Sequence, residues 1–595
     1  MLDPRLYRAA FAPILLAVVV AAFSLVDRPH PLTSALAPDA FDGARAFEVL
    51  RGLTIQFPDR RPASPGDVAL AGRVEREFRR SFPNVIVRTF SGRTIEGKRD
   101  LETVVAQRLG APGPGIVIVA HRDAAGSTAE AELSGTAALL ELSRVFGGRR
   151  TKHTLTLVST SGGSGGAAGA RDLAAAMPKG DPQPAAVIVL GDMASAQLRR
   201  PWVEPWSTTD GLAPVLLRRT AEAALKLEAG ADPGQPRGLE QLARLAFPFA
   251  LGEEGAFNAQ GVPAVALSAS GPRGPAAGAA VNEDHLRAFG RGALRIIDAV
   301  DNAKSPRAAP TREVVILNKV LPGWVMRLLV GVLLLPMLVA AVDGFARVRR
   351  RKAPVAVWLR WLAGLSVPFF AVLFAARLLG LTGMIGAAPA SAVPAGLVPA
   401  DGVALAIVAV AFILGIVVVR PLHRLLAAAP DATPAVSREG GGPAAALTIT
   451  ITVLAFAVWL LNPFAAAVLV LPAHLWMLAV TPEVRLRRGG ALALVVVALV
   501  PAAMVLAVFA SAVGASVTQL PWALVLLVAG GQVGVLALFV LGVLGACAIG
   551  AFRLAMLPGI GEAAPPPQES VYGPLGHVGP GALGGTESGF REARR

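Results

Sequence analysis

Apolar and polar positions are distributed unevenly along the 595 residues. From Asp27 to about Pro310, short apolar runs alternate with polar stretches, whereas beyond residue 320 long runs of Ala, Leu and Val dominate. Two periods are visible in the first region. Val85 to Thr89, Thr103 to Gln107, Ile116 to Ala120, His153 to Ser159, Val187 to Leu190 and Val262 to Leu267 are short and rich in β-branched residues, which predicts strands. Gly135 to Phe146, Gly166 to Met177, Leu216 to Leu227 and Asp284 to Asp301 have helical spacing, the first ending at the stop signal Gly147-Gly148. Such alternation predicts an α/β fold with a mostly parallel sheet and helices on both faces.

The later runs have a different scale. Residues 9–26, 321–342, 358–380, 402–419, 444–461, 464–480, 491–513 and 522–552 each approach or exceed the roughly 20 residues that a bilayer demands, so eight spans are expected. The last is long and glycine-rich enough to be broken or tilted. Phe23-Ser24-Leu25-Val26 is too bulky for a signal-peptide cleavage site, which makes 9–26 an uncleaved anchor. Composition agrees with a membrane protein: 54% of residues are hydrophobic, 16% are charged, and mean hydropathy is +0.56.

Basic residues give the orientation. Arg5 and Arg8, Arg347 to Lys352, Arg420 with Arg424 and Arg438, Arg485 with Arg487 and Arg488, and Arg553 fall at alternate ends of successive spans. Lys and Arg stay on the cytoplasmic side. The expected plan is therefore a cytoplasmic terminus (1–8), an anchor (9–26), an external domain (27–310), a seven-span all-α bundle (321–552) and a disordered cytoplasmic tail (559–595). The net charge of +15 belongs to these loops and to anionic lipid, not to nucleic acid. The lone cysteine, Cys547, lies in the last run, so the external domain contains no disulfide.

Candidate chemistry gathers at strand ends. Gly115 to Ala120 delivers His121-Arg-Asp123 at its carboxyl end, and Ala186 to Leu190 delivers Asp192, where open α/β sheets place their ligands. The glycine-rich Ser161 to Gly166 lacks the Lys and spacing of a phosphate loop and is read as flexible filler. Glu253-Glu254 are read as solvated loop charges. Within the spans, Arg327, Arg377, His474 and Gln532 are the candidates for a transport path, and Gly530-x-x-x-Gly534 is expected to let two helices pack closely.

Five motifs in one order carry a resemblance. His121-Arg-Asp123, Ser134-Gly135 leading to Leu139-Leu-Glu141-Leu, Gly166-Ala-Ala-Gly169, Leu190-Gly-Asp192-Met193 and Phe257 to Val265 follow the order of the zinc aminopeptidases of peptidase family 28, over roughly residues 45–300. The resemblance implies an aminopeptidase-like fold, two zinc ions sharing a bridging Asp, and a Glu as general base. It places a metal-binding His at His121, a metal-binding Asp at Asp192 and a supporting carboxylate at Asp123. The bridging Asp falls on Ala131, the Glu-Glu pair on Gly163 and Ser164, and the last His is missing from Ser268 to Ala280.

Zinc wants at least three protein ligands, and neither Gly nor Ser serves as a carboxylate base. Glu130 and Glu132, which flank Ala131, are the available substitutes. The whole plan is also similar to the endoplasmic-reticulum metallopeptidases of the family, which keep their ligands, and to the attachment-factor subunit of the GPI transamidase, which has lost them. The expectation is a catalytically inactive binding or assembly module with no resident cofactor. Its partners would be the lipid bilayer and a peptide, lipid-linked molecule or protein at the cell surface. Two alternatives stand beside it: an active zinc-dependent membrane aminopeptidase with a rearranged single-metal site, and a transporter or membrane assembly factor.

Overall fold

The computed structural model describes residues 4–34, 38–125, 130–177, 183–303, 309–352, 354–426, 441–481, 484 and 486–556; the expected tail from 559, Arg438 and Arg485 lie outside them. All six expected strands form. The main sheet contains β2 (Asn84–Thr94), β3 (Gly97–Arg108), β4 (Ala111–His121), β5 (His153–Thr160), β6 (Ala186–Leu190), β7 (Trp202–Glu204) and β8 (Ala264–Ser268), with β1 (Val26–Asp27) elsewhere. Their order is β2-β3-β5-β4-β6-β8-β7. The inner four, β5, β4, β6 and β8, are parallel, and the outer three join antiparallel. The sheet is thus mixed: parallel where helical crossovers intervene, antiparallel at the β2–β3 hairpin, where Gly97 takes φ +90 at the turn.

Alternation along β4 explains the layering. Ile116, Ile118 and Ala120 face a core shared with α2 (Gly43–Gln56), α3 (Pro65–Ser81), α4 (Ser134–Gly147), α6 (Val215–Ala229) and α9 (Glu283–Asp301). Val117 and Val119 face the other layer, covered by α5 (Ala168–Ala176) and α8 (Glu254–Ala259). Both faces are buried, as a parallel sheet requires. Side-chain caps fix where several helices begin: Ser64 accepts from the Asp67 amide, Asp42 from Arg45 and Asn282 from His285. α7 (Gly238–Ala246) lies on the side toward the second unit.

That unit is helical, entered by α10 (Gly323–Arg350) and followed by α11 (Val355–Leu365), α12 (Val367–Leu381), α13 (Gly402–Leu425), α14 (Gly442–Leu461), α15 (Pro463–Val480), α16 (Arg488–Val497), α17 (Val500–Val513), α18 (Leu520–Gly530) and α19 (Val535–Met556). Counting α11 with α12 and α16 with α17 as single interrupted rods, seven helices among the described residues are long and apolar enough to cross a membrane. The interruptions precede Pro368 and Pro501, residues that cannot continue the backbone ladder. α1 (Pro4–Phe23) adds a shorter apolar stretch, Ala9–Phe23, and lies along α10. Where the chain leaves α1 and where it enters α10, β1 pairs with β10 (Lys319–Leu321), which pairs with β9 (Val314–Ile316).

The run expected over 522–552 is two helices. Gly531 takes φ +82 and ends α18, and Arg377 occupies the space a Cβ there would need. Gly530 and Gly534 therefore do not form a helix-packing motif: Gly530 lies against the Pro389 carbonyl, and nothing lies within 4 Å of a Cβ at Gly534. The spacing fits one helical face, but the chain breaks between the two glycines, at Gly531.

Candidate functional site

The parallel strands all end on one side of the sheet, and a cleft of about 110 Å³ opens there. His121, Glu132, Asp192, Glu204, Glu253 and Glu254 line it from the sheet side, and Pro394 and Leu397 from the bundle. His121, the last residue of β4, is held through its carbonyl by the Thr136 hydroxyl. Its Nδ1 lies 3.7 Å from Glu253 Oε2, and Glu253 Oε1 accepts from the Thr160 hydroxyl at 2.6 Å. Burial alone would favour a neutral ring, but Glu253, Asp123 and Glu132 together outweigh it and push His121 up to about 9.

Glu253 and Glu254 are thus not solvated charges. They are 2% and 1% exposed, at the start of α8 beneath the cleft. Their neighbours in sequence explain it: Phe249-Ala-Leu251-Gly252 before and Gly255-Ala-Phe257 after make an apolar run that is drawn into the interior and takes both acids with it.

The other expected residues serve the scaffold. Asp123 accepts from the Gly163 amide at 2.9 Å, the Ser164 amide at 3.1 Å and the Ser164 hydroxyl at 2.6 Å. The segment Ser161 to Gly166 is accordingly not filler but a loop clamped by charge-assisted bonds. Asp192 Oδ1 accepts from the amides of Ala194 and Ser195, which caps the turn after β6. Ala131 is buried in a short turn and its carbonyl accepts from Ser134. Glu132 receives the Ala125 amide at 3.3 Å, and burial pushes its carboxyl up to about 7 against the opposing charge of His121. Glu130 sits in the turn before Ala131 and does not line the cleft. Between His121 and Asp123, Arg122 is fully buried and bonds Asp67 at 2.9 Å and three backbone carbonyls.

No family model matches this chain, and no curated relative does. Among solved structures it is similar to the LapA aminopeptidase of Legionella pneumophila (14% identity, TM-score 0.37, covering 47% of this chain and 78% of that one). It is also similar to a glutaminyl cyclase from an Acidobacteriales bacterium (16%, 0.34, 45% and 98%) and to BSAP, a zinc aminopeptidase from Bacillus subtilis (10%, 0.35, 45% and 97%). At these identities and scores the likeness transfers no chemistry to this chain.

Zinc, which the resemblance in sequence implies, has to be tested against the residues themselves, and they do not fit it. His121 Nδ1 faces Glu253, Asp123 is fully engaged by the 163–164 loop, and Asp192 commits Oδ1 to a turn, which leaves, among the described residues, Asp192 Oδ2 and Glu253 Oε2 as the oxygens without a hydrogen bond beside the ring. A Cβ at Gly163 would lie 2.3 Å from the His121 Cβ, so no carboxylate can stand at 163 without displacing that ring. Among the described residues, no three His, Cys, Asp or Glu side chains form a group that could hold a metal ion.

Sequence reasoning missed Glu204 and Arg244. Arg244 stacks over Trp206 and Phe249 at 4.2 and 4.3 Å and gives an N–H to the Phe249 carbonyl. Glu204 accepts from the Trp206 indole N–H and is pushed up to about 7, first by burial, with Arg244 opposing. The available signal was Trp202-Val-Glu204-Pro-Trp206, an acid bracketed by two tryptophans.

The candidates for a transport path meet backbone carbonyls instead. Arg327 reaches Leu460 at the end of α14, Arg377 reaches Val528 and Ala529 at the end of α18, His474 meets Leu333, and Gln532 meets Pro389. Both arginines complement the negative ends of helices.

Proposed function

We propose that residues 27–310 form a catalytically inactive, aminopeptidase-like recognition module, held at the extracytoplasmic face of a membrane by the helical bundle. The observation that carries this reading is the His121–Glu253 ion pair, which occupies the strand end where a metal-activated water and its base would have to act. Gly163 and Ser164 stand where the resemblance places the carboxylate base, and the acids that do line the cleft are tied to the scaffold or left to meet a ligand.

Charge supports the orientation. Arg347, Arg349 and Arg350 end α10, Arg424 lies in the last turn of α13, and Arg553 in that of α19. The domain contacts the opposite ends of the bundle: Asn462 bonds the Leu245 carbonyl at 2.7 Å, and Arg171 bonds the Ala390 carbonyl. The loops on that side are nearly uncharged, which agrees with cytoplasmic basic ends and an external domain.

Metal analysis of the purified full chain in detergent, with hydrolysis of leucine p-nitroanilide measured before and after added zinc, tests the reading. The expected result is substoichiometric zinc and no turnover. Stoichiometric zinc, with turnover abolished in His121→Ala, would overturn it.

A further inference from the structure

The cleft ends against the bundle, and a second cavity begins there. About 350 Å³ lies on the far side of the 389–400 loop, walled by Phe509, Trp522, Ala523, Leu526 and Leu527. This falls within the roughly 300–1,000 Å³ of small-molecule sites. Pro394 lines both spaces. Leu251, on the wall of the cleft, belongs to the same apolar cluster as Ala392, Phe509 and Leu527 on the cavity side. The acidic cleft and the second cavity, whose apolar wall also carries Ser391, Thr518, Gln519 and Gln532, therefore adjoin at Pro394. The loop between them is anchored at both ends of α18, where the Trp522 indole donates to the Val398 carbonyl and Gly530 abuts Pro389.

Among the described residues, four carboxylate oxygens on the wall of the cleft make no hydrogen bond: Asp192 Oδ2, Glu253 Oε2, which has only the 3.7 Å contact with His121, and one oxygen each of Glu204 and Glu254. Glu204 Oε1 and Glu254 Oε2 are buried without any hydrogen bond, in side chains 5% and 1% exposed that both line the cleft. Buried carboxylate oxygens left unpaired are costly, and natural proteins keep few of them. Burial, then the neighbouring Glu204, raises Glu254 well above its ordinary value, with Arg244 only partly opposing. A cation would relieve this conflict. A metal ion lacks a third ligand here, whereas an ammonium carries three N–H donors and needs only acceptors.

We infer that the cleft and the cavity form one site for an amphiphile with a primary ammonium head, the head bound by Glu204 and Glu254 and the hydrocarbon lying behind the 389–400 loop. The inference rests on the domain being a recognition module, and it names the ligand class. Charge complementarity selects the head, and the Phe509, Trp522, Leu526 and Leu527 wall of the adjoining cavity selects the tail.

The probe is hexadecylamine bearing a terminal diazirine, photolysed with the full chain in phosphatidylcholine nanodiscs and mapped by mass spectrometry. Labelled peptides should come from residues 389–400 and 520–530, with the matching hexadecanol probe giving less than one-tenth of that signal. Glu204→Gln with Glu254→Gln should cut the labelling at least fivefold. Ala523→Phe, which fills the cavity and leaves the acids alone, should do the same, with melting temperatures confirming that both variants fold. Equal labelling by the alcohol, or labelling unchanged in both variants, would overturn the proposal. Competition by ethylamine as strong as by unlabelled hexadecylamine would also overturn it, while leaving the recognition module standing. Zinc-dependent peptide hydrolysis would instead remove the module itself.

Discussion

The two halves of the cleft use buried acids in opposite ways. On the side of β4, Asp67, Asp123 and Glu253 each have a donor or cation in place: Arg122, the 163–164 amides, and Thr160 with His121. At β7 and the start of α8, Glu204 and Glu254 each retain an oxygen without a hydrogen bond among the described residues, as does Asp192 Oδ2, and Glu253 Oε2 has only the 3.7 Å contact with His121. The first arrangement spends its charge on holding the fold, and the second leaves charge for something else. A strand end that resembles a metal site can thus be tied into the scaffold, while other buried acids stand on a short edge strand and at a helix start.

Breaking the first half should have the largest effect. Arg122→Leu strands Asp67 as an uncompensated buried carboxylate, and removing one partner of such a pair costs about 3–5 kcal/mol. A melting temperature close to that of the parent chain would show that the pair does not hold the scaffold. Asp123→Ala comes next, expected to lose about 1.5–3 kcal/mol for bonds to a charged acceptor, with faster amide exchange confined to residues 161–166. Gly163→Ala should cost about 1–3 kcal/mol by overpacking, since its Cβ meets His121; a neutral result would mean that the His121 ring has room to move.

The other half should respond with the opposite sign. The folded pKa of Glu204 is raised from 4.5 to about 7, so the destabilisation from burying its charge is absent below 4.5, grows as pH rises and is complete above 7. Glu204→Gln should therefore stabilise the chain by about 1–3 kcal/mol at pH 8 and have little effect at pH 4.5; loss of stability at pH 8 would mean that Arg244 and the Trp206 N–H outweigh the burial of the charge. The smallest effect belongs to His121. Its folded pKa is raised, so its stabilisation is fully present below about 6.5 and lost as pH rises through about 9. Melting temperature should fall across that window, and should fall less in His121→Gln.

The α/β layering was legible because β4, β5, β6 and β8 carry β-branched runs bounded by glycine or polar residues, and α4 and α9 carry clear helical spacing. α2 and α3 were not read, although Asp42 and Ser64 cap them, because their faces toward solvent are crowded with arginine and glutamate. The break at Gly531 was anticipated only as a property of a long run, since the Arg377 contact that terminates α18 comes from residues 151 positions away. At the site, strand-end logic put His121 and Asp192 together, and the resemblance offered Glu130 or Glu132 beside them; the structure lines one cleft with His121, Asp192 and Glu132 but not Glu130. Glu204 and Glu254 escaped because a charged residue inside a short apolar run reads as a loop charge, although the flanking Trp202 and Trp206, and Phe249 to Phe257, carry both acids into the interior.

The claim that His121 is an ion-pair partner and not a metal ligand can be tested most directly on the ring itself. The full chain labelled with ¹³C-histidine, its His121 resonance assigned through His121→Gln among seven histidines, would be observed at pH 7.5 before and after one equivalent of zinc. A protonated imidazole unmoved by zinc, turning neutral in Glu253→Gln, is the predicted result. A neutral ring at pH 7.5 that shifts stoichiometrically with zinc would contradict the account.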